Sequence, residues 1–152
     1  TERDLYLIAT TLYWAEGTKQ RSRASTPAHI CNSDPAIVRI FYIWLLKIGF
    51  NASDIICRLY IHETYRPQEK EILEYWKRYF SDGDISWRKT VYKKNHKIKE
   101  IMRYNQSSSN IHAGWHSNIY YGLLSLTVRK STWLNRYLAG VAKAIADQCP
   151  VV

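Results

Sequence analysis

Residues 4 to 17 read Asp-Leu-Tyr-Leu-Ile-Ala-Thr-Thr-Leu-Tyr-Trp-Ala-Glu-Gly, and this stretch decides how the rest of the chain is interpreted. Its apolar residues recur at the spacing of one helix face. They are Leu5, Ile8, Ala9, Leu12 and Tyr13. The pattern predicts a helix with a buried stripe. Glu16 and Gly17 end it, and we expect Gly17 to adopt the left-handed conformation that most often terminates helices.

A polar and basic segment over residues 18–27 follows this helix and leads into the apolar stretch 28–31. This order predicts a β-hairpin. Asn32-Ser33-Asp34-Pro35 then provides a helix N-cap and a proline for the first turn. We therefore expect a second helix over residues 36–50 that stops at Gly49.

The rest of the chain alternates strand and helix patterns. These patterns predict a strand over 55–61, a helix over 67–80, a strand over 86–94, a polar loop over 103–117, a strand over 119–128 and a helix over 131–147 capped by Ser131 or Thr132. Residues 1–152 are expected to form one α+β domain with the element order α-β-β-α-β-α-β-β-α. Trp14, Trp44, Trp76 and Trp133 fall on apolar stripes and are interpreted as core residues.

Positive charge dominates the chain and is concentrated in one region. The net charge is +9, from 22 basic and 13 acidic residues. Residues 85–130 contain nine Lys and Arg residues and one acid, interleaved with Trp, Tyr and His. An excess of this size predicts a polyanionic partner, and the local concentration favours nucleic acid over an ordinary solvated surface.

Two other features limit the setting of the protein. No window approaches the length of a transmembrane helix, so no membrane role is expected. The three cysteines, Cys31, Cys57 and Cys149, are too widely spaced for a CxxC metal site and are interpreted as reduced thiols. We expect a soluble protein, either cytoplasmic, where it is nucleoid-associated when bound to DNA, or organellar.

Glu16 is the first residue to consider for chemistry. A carboxylate at the C-terminal end of a helix opposes the helix dipole, at a cost of a few tenths of a kcal/mol. Solvent exposure makes that cost negligible. The alternative is a divalent metal held between two such carboxylates and a scissile phosphate. The residues alone leave both interpretations open.

The stretch Ala9-Thr10-Thr11-Leu12-Tyr13-Trp14-Ala15-Glu16-Gly17 resembles a degenerate LAGLIDADG motif, the signature of the LAGLIDADG homing endonucleases. The order of a basic hairpin, the segment 30–35 and a helix ending in Ile48-Gly49 also resembles that family. The sequence departs from the motif at Thr10 and Thr11, where the family prefers small residues, and in having Glu at the final acidic position.

The resemblance implies an αββαβ core in which packed helices support an antiparallel sheet that binds double-stranded DNA in the major groove. Glu16 and Gly17 would hold Mg²⁺ or another divalent cation. Lys89 would support catalysis near the metal, and Asn32 or Ser33 would position the water. The expected DNA-contacting residues are Lys19, Arg21, Arg23, Arg58, Arg88, Lys93, Lys94, Lys97, Lys99, Arg129 and Lys130.

Some alternatives remain open at this point. A single motif implies a homodimer that brings two acids together and prefers a palindromic site. The acid-Gly pair in Phe80-Ser81-Asp82-Gly83 leaves room for a pseudo-repeat within one chain. The function is expected to be metal-dependent DNA cleavage, with DNA binding without cleavage as the first alternative and RNA binding as the second.

Overall fold

The computed structural model describes residues 1–19, 25–80, 83–94 and 120–149 of the chain. In chain order, the helices and strands within these ranges are α1 (Glu2–Glu16), β1 (His29–Asn32), α2 (Pro35–Lys47), β2 (Ile55–His62), α3 (Glu69–Lys77), β3 (Ser86–Lys93), β4 (Leu123–Val128) and α4 (Thr132–Gln148). Short 3-10 turns cover Ala52–Asp54 and Glu63–Gln68. The α+β class is therefore confirmed. The polar loop expected over 103–117 lies outside the described residues.

The first two helices begin with side-chain caps. Thr1 and Asp4 form a reciprocal capping box at the start of α1. The Asp34 carboxylate accepts a hydrogen bond of 2.8 Å from the backbone N–H of Ala36, and Pro35 occupies the first turn of α2. The prediction for the start of α2 is confirmed.

The buried face of α1 differs from the predicted stripe. Ala9, Thr10 and Tyr13 are buried, whereas Ile8 is 48% exposed. The Thr10 hydroxyl donates a hydrogen bond of 2.7 Å to the carbonyl of Tyr6, so its burial leaves no unpaired hydroxyl. The placement of Ile8 in the core was therefore wrong, because the helix is rotated toward its Thr10 side.

The chain reverses direction after α1, as the predicted hairpin requires. Gly17 forms an isolated antiparallel bridge with Ile30, and the Thr18 N–H donates to the His29 carbonyl at 2.9 Å. Within the described residues, the predicted first strand of the hairpin is therefore reduced to this single bridge. Residues 20–24 lie outside those residues, so Arg21 and Arg23 are not placed.

The four strands form one sheet in the order β1-β4-β2-β3. β4 pairs antiparallel with both β1 and β2, whereas β2 and β3 are parallel. The sheet is therefore mixed, and the expectation of a wholly antiparallel sheet was wrong. α3 lies between β2 and β3 in the chain, and a connection of this kind allows consecutive strands to run in the same direction.

The helices contribute to one core on one face of this sheet. The core cluster contains Tyr13 of α1, Phe41 of α2, Trp76 of α3 and Leu138 of α4, together with the inward side chains of the strands. α3 is further attached to the chain before β4, because the indole N–H of Trp76 donates to the Tyr121 carbonyl at 2.8 Å. No helix in the described part of the chain is long and apolar enough to cross a membrane.

Two of the four tryptophans assigned to the core are not buried. Trp44 and Trp76 are at most 2% exposed, but Trp14 is 46% and Trp133 58% exposed. Trp133 lies in the first turn of α4 and stacks on Phe50, with the ring centroids 5.9 Å apart. The spacing placed all four tryptophans on apolar helix faces. It could not show which of those faces the rest of the protein would bury.

α4 begins where the sequence predicted, but the Ser131 side chain does not cap the helix as expected. Ser131 occupies the N-cap position without making a side-chain cap. Its hydroxyl donates to the Val128 carbonyl at 2.6 Å and accepts from the Ala28 N–H at 2.8 Å. Ser131 therefore links the end of β4 to the residue before β1.

Candidate nucleic-acid interface

One face of the sheet is buried beneath the helices, and alternate side chains point to the other face. Ile55, Cys57, Leu59 and Ile61 of β2 are all buried, so the residues between them point away from the core. The strand pairing extends this alternation across the sheet. We call the second face the open face, and its residues are His29, Cys31, Ile56, Arg58, Tyr60, Ser86, Arg88, Val91, Lys93, Leu123, Ser125 and Thr127.

A shallow cavity of about 360 Å³ lies in the middle of the open face. It is lined by His29, Ile56, Arg58, Tyr60, Arg88, Ser125 and Thr127. Two of the lining side chains are fixed by hydrogen bonds: His29 Nε2 lies 2.8 Å from Ser125 Oγ, and His29 Nδ1 lies 2.7 Å from Thr18 Oγ1. This chain of hydrogen bonds connects the exit of α1 to the central strand β4.

The His29 imidazole adds no positive charge to the cavity near neutral pH. Burial lowers its pKa below the ordinary value, because the charged form loses solvation there. The positive charge in the cavity comes from Arg58 and Arg88, which are exposed register partners on β2 and β3. Lys93 adds a third cation, with its Nζ 5.4 Å from the centroid of the Tyr60 ring. The residues that define the open face include no acid.

Further cations lie at the two ends of the sheet. Arg129 and Lys130 follow β4, and both are exposed. Lys94 follows β3 at the opposite end, where its Nζ lies 4.0 Å from a carboxylate oxygen of Glu63. Six expected DNA contacts, Arg58, Arg88, Lys93, Lys94, Arg129 and Lys130, are thus exposed around one sheet. Lys97 and Lys99 lie outside the described residues.

Glu16 is the last residue of α1, and its side chain is exposed. Gly17 has φ −77° and ψ 158°, so its expected left-handed conformation was wrong. The need for glycine comes from packing, because a Cβ at this position would lie 2.5 Å from the Tyr13 carbonyl oxygen and 2.6 Å from a Tyr13 ring carbon. Glu16 is therefore presented by a backbone that packs directly against Tyr13.

Lys19 lies beside Glu16 at the end of α1. Its ammonium donates to the carbonyls of Tyr13 and Trp14, which are among the last carbonyls of the helix. Burial lowers the pKa of Lys19, and the charge of Glu16 opposes that shift. In this arrangement Lys19 offsets the negative end of the helix. The sequence signal for this helix-end role was the position of Lys19, three residues after Glu16.

Asn32 and Ser33 lie at the same edge of the sheet as the end of α1. Gly17 pairs with Ile30, and Asn32 is two residues further along β1, roughly 7 Å away along the strand. Asn32 Oδ1 accepts from the Asp34 N–H at 2.8 Å, which fixes the turn into α2. Both residues thus belong to the edge of the sheet where Glu16 is found.

Lys89 is not brought near Glu16 within one chain. It lies on β3, at the irregular register between Arg58 and Tyr60 of β2. The strand order puts β3 at one edge of the sheet and Gly17 beside β1 at the other, four strand spacings or roughly 19 Å apart. Lys19, which the sequence interpretation assigned to DNA contact, is the lysine that lies beside the carboxylate.

The outer face of α1 carries exposed apolar side chains. Leu7 is 45%, Ile8 48% and Trp14 46% exposed. Thr11 lies among them, and its hydroxyl donates to the Leu7 carbonyl at 2.8 Å. Because that hydroxyl is already satisfied, Thr11 presents mainly its methyl group. We call Leu7, Ile8, Thr11 and Trp14 the α1 stripe.

The comparisons with known proteins identify no relative: no family model, curated protein or solved structure matches this chain. Within residues 1–19, 25–80, 83–94 and 120–149, no three His, Cys, Asp or Glu side chains are grouped closely enough to hold a metal ion. The geometry of the site is a positively charged sheet face with the exposed Glu16 carboxylate at its β1 edge.

Proposed function

We propose that this chain is a site-specific DNA-binding protein of the LAGLIDADG homing-endonuclease type that cleaves double-stranded DNA with Mg²⁺. The observation that carries the proposal is the open face, where Arg58, Arg88 and Lys93 lie on a surface without acidic residues. Such a surface is suited to the major groove, which admits strands and presents base edges. A DNA-bound protein of this kind would work at the nucleoid or in an organelle.

The residues at the end of α1 fit a divalent cation whose coordination is completed by the substrate. Mg²⁺ is often bound by one or two carboxylates together with substrate phosphates. Glu16 would supply the carboxylate, with Gly17 beside it, and the ion would stabilise charge on the scissile phosphate. In this proposal Asn32 or Ser33 holds the attacking water, and Lys19 supplies the positive charge first assigned to Lys89.

DNA binding without cleavage is the second candidate, and one observation favours it. Glu16 lies beside the ammonium of Lys19 and has no metal-binding cluster around it among the described residues. A carboxylate beside a lysine that binds the last carbonyls of the helix needs no metal to be accommodated at the helix end. Cleavage therefore requires a second acid from another copy of the chain.

The α1 stripe supports a homodimer as the source of that acid. Exposed apolar residues on one helix face form a surface that loses contact with water when two helices pack together. If the twofold axis runs nearly parallel to α1, the C-terminal ends of both helices lie at the same end of the dimer. Each copy then contributes one Glu16 to the region of the scissile phosphates, and the preferred DNA site is palindromic.

We expect Trp14→Glu to convert the dimer to monomers. A charge in place of an exposed aromatic anchor removes about 2 kcal/mol or more of association free energy, which raises the dimer Kd about thirtyfold. Sedimentation over a concentration series measures this change. Trp133→Glu is the matched control, because Trp133 is also exposed but lies on α4. Dissociation by Trp133→Glu alone would move the interface to α4.

The function is tested by incubating the wild-type chain with a randomised duplex DNA library at low salt, in Mg²⁺ or in EDTA, and sequencing both bound and cleaved molecules. We expect one enriched site in both buffers and cleavage only in Mg²⁺. Affinity should fall steeply with salt, because basic side chains release counterions from DNA.

The outcomes separate the candidates. Enrichment in both buffers without cleavage supports the DNA-binding module and removes the nuclease. The same selection is also run with a library of scrambled single-stranded RNA. If the chain enriches duplex DNA no more than this RNA, the assignment to double-stranded DNA is overturned.

A further inference from the structure

Arg58 and Arg88 form an unusual pair on the open face. They are direct partners across the parallel β2–β3 pair, in the same row as Ser125 of β4 and Cys31 of β1. Like charges opposite each other on neighbouring strands are destabilising. A pair of this kind on neighbouring strands therefore calls for a compensating partner.

The described residues do not supply that partner by an ion pair. No salt bridge within these residues involves either guanidinium. The neighbouring groups are neutral: Ser125, Thr127, Tyr60 and the uncharged ring of His29. Since the described residues form no ion pair with either guanidinium, the pair is suited to a ligand that accepts hydrogen bonds.

The position of the pair indicates which part of DNA it meets. Arg58 and Arg88 lie within strands, on β2 and on the edge strand β3, whereas Lys94, Arg129 and Lys130 follow the ends of strands. When strands lie in the major groove, central side chains reach base edges and peripheral ones reach phosphates. The planar guanidinium fork matches the O6 and N7 acceptors of guanine. Neighbouring strands are spaced about 4.8 Å apart and base pairs about 3.4 Å, so long side chains from adjacent strands can reach neighbouring base pairs.

We propose that Arg58 and Arg88 each read one guanine, so that the DNA site of this chain contains two guanines in neighbouring base pairs. This inference rests on the proposed DNA-binding function and adds to it the residues that determine specificity. Ser125, Thr127 and His29 form the fixed floor against which the two guanidiniums extend.

The test compares Arg58→Ala and Arg88→Ala with wild type by sequencing the molecules that each protein binds from a randomised duplex library. We expect each variant to lose the guanine preference at one position, by about tenfold to a hundredfold relative to the other bases. Lys130→Ala is the matched control at the end of the sheet. It should weaken binding to all sequences alike and reduce the salt dependence by about one counterion.

The outcomes distinguish this inference from the function on which it rests. If wild type binds duplex DNA and either arginine variant loses affinity equally for every sequence, that arginine contacts phosphate and the inference is overturned. A wild-type site without paired guanines overturns it as well, while DNA binding stands. If wild type binds no duplex DNA, both proposals fall together. Thermal unfolding of each variant establishes that it is folded, since both arginines are exposed.

Discussion

Glu16→Gln is expected to abolish Mg²⁺-dependent cleavage while leaving DNA binding intact. The substitution keeps the size of the side chain and removes the negative charge that would hold the cation. A metal ion contributes several kcal/mol of transition-state stabilisation, and each 1.4 kcal/mol or so corresponds to a tenfold change in rate. We therefore expect the single-turnover cleavage rate to fall by about a thousandfold, with an equal or slightly higher affinity for the same site.

Glu2→Gln is the matched control for this experiment. Glu2 is also an exposed glutamate of α1 but lies at the opposite end of the helix. Its loss changes the helix dipole interaction by a few tenths of a kcal/mol and should leave cleavage unchanged. Equal cleavage by wild type and Glu16→Gln would show that Glu16 is not the metal ligand, and the role of the residue would then be limited to the end of α1.

The elements with strong local signals were predictable from the sequence. The start of α2 follows from Asp34 and Pro35, which act through local hydrogen bonding and a fixed backbone angle. β2 follows from the alternation of Ile55, Cys57, Leu59 and Ile61, all of which are buried. In both cases the information lies within a few residues of the element it specifies.

The pairing of the strands was not predictable in the same way. β4 is inserted between β1 and β2, although it is the last strand in the chain. Periodicity shows that a segment is a strand but does not identify its neighbours. The same limit explains the assignment of Lys89, because its distance from Glu16 depends on the order of the whole sheet.

The exposed apolar residues of α1 show a further limit. Ile8 and Trp14 are as apolar as the core residues, so sequence spacing placed them in the core. α1 therefore carries apolar residues on its exposed side as well as on its buried side. Sequence pattern alone does not divide such a helix into an internal face and an external one.

Among alanine substitutions at Gly17, Gly49, Gly122 and Gly140, Gly122→Ala is expected to be the most destabilising. Gly122 has φ +69°, and a Cβ there would lie 2.3 Å from the Tyr60 carbonyl oxygen and 2.7 Å from Ile61 Cγ2. The left-handed backbone costs an alanine about 1 to 2 kcal/mol, and overpacking costs about 1 to 3 kcal/mol more. Chemical denaturation should therefore show a loss of about 2 to 5 kcal/mol in the free energy of unfolding.

Two other glycines separate the contributions to this effect. Gly49 has φ +99°, and a Cβ there would meet no atom within 4 Å, so Gly49→Ala carries the backbone cost alone. Gly140 lies within α4 with open space around it, and Gly140→Ala should stabilise the helix by about 0.5 to 1 kcal/mol. Equal destabilisation by Gly122→Ala and Gly49→Ala would argue against the close approach of β4 to Tyr60. That approach matters for function, because Gly122 leads into the strand that places Ser125 beside Arg58. A variant that folds with β4 displaced should therefore lose DNA affinity as well as stability.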